Sequence, residues 1–211
     1  MALWQRVLAV CLLMLSYSCH ANQDALQQAL KAYNNYDFAT AYAIYKKLSL
    51  ENNPEAQYKL GLMYEQGIGI AKDLDQAISL IEQAANNGLA AAQFALGERY
   101  EKGTLVKQDF SAARNWYRKA ADNNHAKAQI QLALIYAQGN GVKKNSKKAL
   151  SYALKAANNG NPDAQFLVGY MYLQGKGVGE DRTTALLWLQ KAADQGQHQS
   201  DAQPPGQGVA D

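Results

Sequence analysis

Paired glycines, acidic side chains, lysines and aromatic rings are the residues of this chain that could take part in chemistry. Gly67 and Gly69 form a Gly-x-Gly pair of the kind that could cradle a phosphate. Phosphate loops, however, follow a strand and need further glycines or a lysine at fixed offsets. These two glycines follow a stretch with helical periodicity, so they favour a helix-ending turn over a phosphate site.

Acidic and amide side chains recur in one register after the glycine pairs. Such side chains accept hydrogen bonds from the free N–H groups that open a helix, and a carboxylate also interacts favourably with the helix dipole. Their equal spacing indicates a role in the fold. We therefore predict helix N-caps rather than catalytic carboxylates at Asp73, Asp109, Asn145 and Asp181.

Both features belong to an internal repeat. The stretch from Ala56 to Gly88 recurs three times at intervals of 36 residues without a gap. Repetition with a period between about 20 and 50 residues is typical of a stacked array. Apolar residues at helical spacing on both sides of the glycine pair predict two helices per repeat. Gly61, inside the first of them, indicates close approach of two backbones, since glycine there costs about 1 kcal/mol against alanine.

The repeated pattern resembles that of the Sel-1-like repeat family, which is related to the tetratricopeptide repeats. It reads A-x-x-x-L-G-x-x-Y-x-x-G-x-G-V-x-x-D-x-x-x-A-x-x-W-x-x-x-A-A-x-x-G. The copies from Ala56 to Gly88 and from Ala164 to Gly196 match it almost throughout. Leu105 replaces the second loop glycine in one copy, and we expect that loop to be the least regular. The resemblance implies an all-α fold, a right-handed α-solenoid of antiparallel helix pairs, and contact with protein partners. It also implies an exported bacterial protein or an adaptor.

The register divides the chain into segments. Four repeats occupy residues 54–197, at about 54–89, 90–125, 126–161 and 162–197. Residues 22–53 hold a degenerate helix pair in the same register, which we interpret as an N-terminal cap because terminal repeats have one face in solvent. Residues 198–211 are polar and rich in Pro and Gly, so we expect a disordered tail.

Residues 1–21 have the pattern of a secretory signal peptide. Arg6 precedes a short apolar run from Val7 to Leu15, and Ala21 offers a small residue for cleavage. This run is too short to cross a bilayer, which needs about 20 apolar residues. The pattern predicts a periplasmic or secreted protein without cysteine. In an alternative interpretation, Cys19 is the lipid-modified first residue of a lipoprotein.

The sequence offers little for catalysis. His125 and His198 lie beyond the signal segment, and neither has a Cys, Asp or Glu at metal-ligand or triad spacing that the repeat does not explain. We expect no enzyme activity, no cofactor and no metal site. The alternative left open is a cell-envelope enzyme, or a regulator of a peptidoglycan-active enzyme, that acts through binding.

Columns that vary between copies are free to serve a partner, whereas identical columns serve the fold. In the tetratricopeptide relatives the first helix of each pair lines a concave surface, and stacked repeats form such surfaces in general. Three variable columns of that helix therefore predict a partner-binding face. Its residues are Lys59, Leu62, Met63, Glu98, Arg99, Gln131, Leu134, Leu167 and Tyr170.

A second candidate surface is basic. No acidic residue lies between Asp122 and Asp163, and this interval contains the clustered lysines Lys143, Lys144, Lys147 and Lys148. Such an excess could attract an acidic protein or an anionic lipid surface. Aromatic residues do not interleave with the lysines in the sequence in the way that stacks bases, so we expect no nucleic-acid partner.

The last repeat has no capping helix after it. Its second helix contains a run of four apolar residues, not all of which can face inward. The uncovered end therefore predicts a docking or self-association surface at Leu186, Leu187, Trp188 and Leu189.

Overall fold

The described chain consists of helices joined by short loops. The computed structural model describes residues 21–201, with side chains described through residue 196. Ten helices and no strand occur in that range, and the first, α1, covers 21–34. The others are α2 (Phe38–Leu50), α3 (Pro54–Gln66), α4 (Leu74–Asn86), α5 (Ala90–Lys102), α6 (Phe110–Asp122), α7 (Ala126–Gln138), α8 (Ser146–Asn158), α9 (Pro162–Leu173) and α10 (Arg182–Asp201). Residues 1–20 of the predicted signal peptide and residues 202–211 of the predicted tail lie outside the described residues.

The helices form two compact units. The first comprises Met1–Leu96 and the second Gly97–Asp211, so the division falls within α5. In the first unit, Tyr45, Leu48 and Leu60 pack with small alanines in one buried cluster. In the second unit, Val168 and Met171 pack against the alanines of α8. Each core is built from the alanine columns that the repeat pattern marks, because small side chains let neighbouring helices pack closely.

The predicted N-caps are confirmed at all four positions. An oxygen of Asp73 accepts hydrogen bonds from the N–H groups of Asp75 and Gln76 at 3.1 and 2.9 Å. Asn145 accepts one from the N–H of Lys148 at 2.9 Å. The corresponding bonds at the other two positions come from Ala112 to Asp109 and from Thr184 to Asp181.

The first helices of the repeats have caps that the sequence analysis did not identify. Asn53 accepts a hydrogen bond from the N–H of Ala56 at 3.0 Å, and Asn161 accepts one from the N–H of Ala164 at 2.9 Å. At the equivalent position of α7, Nδ1 of His125 accepts from the N–H of Ala128 at 3.3 Å. This bond requires an unprotonated Nδ1. Burial, and then the nearby Lys127, lower the pKa of His125, while Glu98 raises it by a smaller amount.

The small column inside the first helices is explained by the second helix of the same repeat. A Cβ on Gly97 would lie 2.6 Å from two ring atoms of Tyr117, and one on Gly169 would lie 2.7 Å from Cγ of Leu189. Real side chains do not approach so closely, so alanine cannot fit here without movement. The third repeat has Ala133 in this column, and there the facing position holds a small residue, Ala153.

A column of buried glutamines joins each repeat to the helix before it. Gln93 donates a hydrogen bond from Nε2 to the carbonyl of Ala85 at 3.0 Å. Gln129 does the same to Ala121 at 3.1 Å, and both side chains are buried. The same bond recurs from Gln57 to Ser49 and from Gln165 to Ala157. These carbonyls lie in the last turn of a helix and already accept a backbone N–H of the following turn, such as that of Asn124 at Ala121. The glutamine therefore adds a second hydrogen bond that ties the next helix to this turn.

The loop with Leu105 does not behave as expected. Gly69, Gly141 and Gly177 have positive φ angles of 73°, 66° and 84°, and Leu105 adopts the same left-handed conformation with φ 65°. The loop is therefore as regular as its counterparts, and the expectation of irregularity is wrong. For a residue with a Cβ, the left-handed conformation costs about 1–2 kcal/mol.

The last helix continues beyond the predicted end of the fourth repeat. Gly88 and Gly160 have φ angles of 90° and 84° and turn the chain back, whereas Gly196 lies within α10. The helix continues to Asp201. This corrects the predicted start of the disordered tail at residue 198.

Candidate partner-binding grooves

The structure separates the predicted partner-binding residues by burial. Met63 is 1% exposed and Arg99 is 9% exposed. Their column faces the interior in three of the four repeats, since Met171 is also buried. Met63 and Arg99 therefore cannot contact a partner without repacking, and their assignment to the binding face is wrong. Variation between copies here reflects core packing.

The remaining predicted residues stay accessible. Lys59 and Tyr170 are exposed, and the others are partly buried. Glu98 forms an exposed ion pair with Lys102, with 3.5 Å between Nζ and Oε1. Leu62 and Gln131 do not line either groove described below, whereas Lys59, Leu134, Leu167 and Tyr170 do.

A groove of about 250 Å³ runs between α7 and α9 in the second unit. We call it the α7–α9 groove. Leu134 comes from α7, and Leu167 and Tyr170 come from α9, so two of the predicted columns meet in one place. Lys144 of the predicted basic surface also lines it. The full lining is Ala133, Leu134, Ala137, Gln138, Lys144, Ser146, Leu167, Tyr170, Met171 and Lys176.

The charge of the α7–α9 groove has one sign. Lys144 and Lys176 line it, and none of its lining residues is acidic. Nζ of Lys176 lies 4.8 Å from the centre of the Tyr170 ring, a cation–π contact that holds the ammonium at the rim. The sequence analysis missed Lys176, which lies in the connector one repeat after the lysine cluster. The 36-residue register that relates the two connectors was the signal that could have found it.

A second groove, of about 290 Å³, lies in the first unit between α1 and α3. We call it the α1–α3 groove. Leu26 and Leu30 come from α1, and Tyr58 and Lys59 come from α3. Of these, only Lys59 was predicted as a site residue. Leu26 and Leu30 were not, because α1 belongs to the degenerate pair that we interpreted as a cap. Both grooves thus lie between the first helices of adjacent helix pairs.

Aromatic rings of the second unit contact lysines or other rings. Nζ of Lys119 lies 3.7 Å from the Trp116 ring centre, and Lys191 lies 4.6 Å from that of Trp188. Tyr152 is stacked on Tyr136 at 5.9 Å between ring centres. These rings are half-buried and already covered by lysines or by one another. These contacts stabilise the helices that carry them.

Other kinds of site find no support in the described residues. Between residues 21 and 201, no three His, Cys, Asp or Glu side chains come together in a way that could hold a metal ion. None of the helices in this range combines the length and the apolar character needed to cross a bilayer.

The regular helix pairs, the capped second helices and the grooves between first helices define an all-α repeat protein of the solenoid type. Its sequence matches the Sel1 repeat at residues 54–89, 90–125, 126–161 and 162–197. The chain therefore belongs to the Sel1 repeat family, as the resemblance indicated. Sel1 repeat proteins generally mediate protein–protein interaction and are typically non-catalytic.

Relatives with solved structures have the same fold. The chain is 30% identical to c5321, a protective antigen of uropathogenic Escherichia coli that displays an SLR fold, with a TM-score of 0.76 over 85% of this chain and 39% of that one. It is 32% identical to a Sel1 repeat protein of Oxalobacter formigenes, with a TM-score of 0.73 over 81% of this chain and 70% of that one. An uncharacterized protein of Neisseria meningitidis serogroup B is 36% identical over 75 residues, which are 34% of this chain and 16% of the relative.

Proposed function

We propose that this protein is an exported, non-catalytic scaffold that binds a protein partner through the first helices of its repeats. The observation that carries the proposal is the position of the two grooves. Each lies between the first helices of adjacent pairs, one in each unit, and each is lined mainly by apolar side chains. Grooves of this kind accept anchor side chains from a partner, which supply most of the binding energy in typical interfaces.

Export is part of the proposal and rests on the N-terminal sequence. The charged start, the short apolar run and the small residue at Ala21 support cleavage and release into the periplasm or the medium. Mass spectrometry of the mature N-terminus tests it. A mature chain that begins after Ala21 supports release, one that begins at a lipid-modified Cys19 supports an anchored protein, and an intact N-terminus contradicts both.

Binding is tested by photocrosslinking from the groove positions. A photoreactive amino acid replaces Tyr170 or Lys59, and matched controls carry it at Ser79 or Ser151, which are exposed on second helices. The modified chains are exposed to cell-envelope extract, and adducts are identified by mass spectrometry. We expect the groove positions to give a discrete adduct that the control positions do not give.

The partner found in this way is then purified and its affinity measured by calorimetry. Leu134→Gln and Leu167→Gln are expected to weaken it about tenfold or more if these side chains contact anchors of the partner. Adducts of equal yield from groove and control positions, or an affinity unchanged by the groove substitutions, would contradict the proposal. A peptidoglycan-active enzyme in the adduct would make the protein a regulator of that enzyme.

A further inference from the structure

The α7–α9 groove differs from the α1–α3 groove in charge. The α1–α3 groove has both Glu55 and Lys59 in its lining. The α7–α9 groove has Lys144 and Lys176 and no carboxylate. Both are predominantly apolar. The difference in charge therefore gives the second groove a selectivity that the first lacks.

The groove also joins two surfaces that the sequence presented as separate. Leu134 and Tyr170 belong to the partner-binding columns of the first helices, and Lys144 belongs to the basic cluster. Lys143 and Lys147 are exposed beside it in the chain, and no acidic residue occurs between Asp122 and Asp163. An apolar floor is thus bordered by positive charge that no carboxylate of the same repeat neutralises.

We propose that the α7–α9 groove binds an acidic peptide segment of a protein partner, with one large apolar side chain of that segment seated between Leu134, Leu167 and Tyr170. This deepens the proposed function and rests on it. A volume of about 250 Å³ accommodates such a side chain, since a cavity of about 150 Å³ holds benzene. Aspartate or glutamate residues on either side of the anchor then face Lys144 and Lys176. The lysines select the partner and speed its association, while the anchor supplies affinity.

The ring of Tyr170 has a specific part in this arrangement. It lines the groove with its apolar body and at the same time holds the ammonium of Lys176 by the 4.8 Å cation–π contact. Replacing Tyr170 therefore removes apolar contact area and frees Lys176 to move. Tyr170→Leu retains an apolar contact in the groove and loses the cation–π contact with Lys176, so the two effects can be measured separately.

The test uses the mature full-length chain and fluorescence anisotropy with labelled peptides of equal length. The probe has one Phe flanked by Asp and Glu residues. One control peptide replaces the acidic residues with Asn and Gln, and another replaces Phe with Ser. We expect the probe to bind and each control peptide to bind at least about fivefold more weakly at about 0.05 M salt. At about 0.5 M salt the advantage over the Asn/Gln peptide is expected to shrink, because the Debye length falls below about 5 Å.

Protein variants locate the binding to this groove. Lys144→Glu and Lys176→Glu are each expected to weaken the probe about three- to tenfold at low salt. Lys107→Glu is the matched control, since it is an exposed lysine of the preceding connector that does not line the groove. Circular dichroism and thermal melting check that each variant remains folded. Tyr170→Leu is expected to weaken the probe less than Tyr170→Ser.

Several outcomes would overturn the inference. The first is that the Asn/Gln peptide binds as tightly as the probe. The second is that Lys107→Glu weakens binding of the probe as much as Lys144→Glu does. The third is that the probe does not bind at all. Vesicles of phosphatidylglycerol provide a further arm. If they bind tightly, lose binding in the lysine variants and are not displaced by the probe, the basic surface serves a membrane and the inference fails. Crosslinking from Tyr170 to a partner without any charge dependence would leave the scaffold proposal standing and remove only this one.

Discussion

Replacing Gly97 with alanine should destabilise the second unit because of the position of Tyr117. The added Cβ would lie 2.6 Å from Cδ1 and Cε1 of the ring. Ordinary contact between carbon atoms is about 3.5–4.0 Å, so the ring must move by about 1 Å. It has little freedom to do so, since Tyr117 is fully buried and its hydroxyl donates a 2.6 Å hydrogen bond to Glu101.

The magnitude follows from two opposing contributions. Overpacking a core costs about 1–3 kcal/mol, while alanine gains about 1 kcal/mol over glycine in helix propensity. Gly97→Ala is therefore expected to lower the free energy of unfolding by up to about 2 kcal/mol. Urea denaturation followed by circular dichroism measures the change. The matched control is Ala133→Gly, which removes a methyl group facing the small Ala153 and should cost only about 1 kcal/mol through propensity.

A double-mutant cycle tests the steric reasoning directly. Tyr117→Ala alone should cost about 3–5 kcal/mol, as for other large buried aromatic residues. With both substitutions, the second repeat contains the alanine pair that the third repeat has naturally at Ala133 and Ala153. The double mutant should therefore be more stable than the sum of the single effects predicts, by about 1–3 kcal/mol. Effects that add within about 0.5 kcal/mol would refute the reasoning.

Three further predictions concern the pH dependence, the buried glutamines and the last helix. The pKa of His125 is lowered in the folded chain, so the unfolded chain takes up the proton first and the free energy of unfolding should fall as pH falls below about 6.5. His125→Asn, which places here the residue type found at Asn161, should reduce this fall in urea titrations between about pH 7 and pH 5. An identical pH profile of the variant and the parent chain would contradict the prediction. Gln129→Leu should lower the free energy of unfolding by about 0.5–1.5 kcal/mol, because the carbonyl of Ala121 loses the side-chain donor and keeps only the backbone N–H of Asn124. Gln129→Glu at acidic pH, where the side chain can donate again, should recover part of the loss, and a neutral Leu variant would argue against the bond. Leu187→Glu should abolish any concentration-dependent association seen by sedimentation, since this side chain is 61% exposed; a monomer at all concentrations in the parent chain would remove the self-association hypothesis.

The exposed leucines of α10 lie in two different columns of the repeat. Leu186 is 65% exposed, whereas its counterpart one repeat earlier, Leu150, is 7% exposed. Within residues 21–201, no helix follows α10 to cover this column in the fourth repeat. Leu187, by contrast, lies in a column that is exposed in every copy and holds small residues such as Ser79 and Ser151 elsewhere. The sequence predicted an uncovered apolar surface, and the structure identifies which of its residues are accessible.

Local features of this protein were predictable because they depend on near neighbours in the chain. The N-cap bond of Asn145 joins it to a residue three positions away, so the residue type and register suffice to predict it. The close approach at Gly61 was also predicted, although the facing side chain, Ile81, could not be named. The expectation for Leu105 failed because this residue, despite its Cβ, adopts the left-handed conformation that glycine adopts in the other three copies.

The repeat, its helices, the caps of its second helices and the family follow from the sequence alone. Each follows from side-chain types at fixed spacing within one helix pair. Only the tertiary structure decided which variable columns reach the surface. Met63 and Arg99 vary between copies and are nevertheless buried, whereas Leu134 and Tyr170 meet Lys144 in a groove. The physical reason is that burial and convergence depend on how one helix pair packs on the next, which no single repeat encodes.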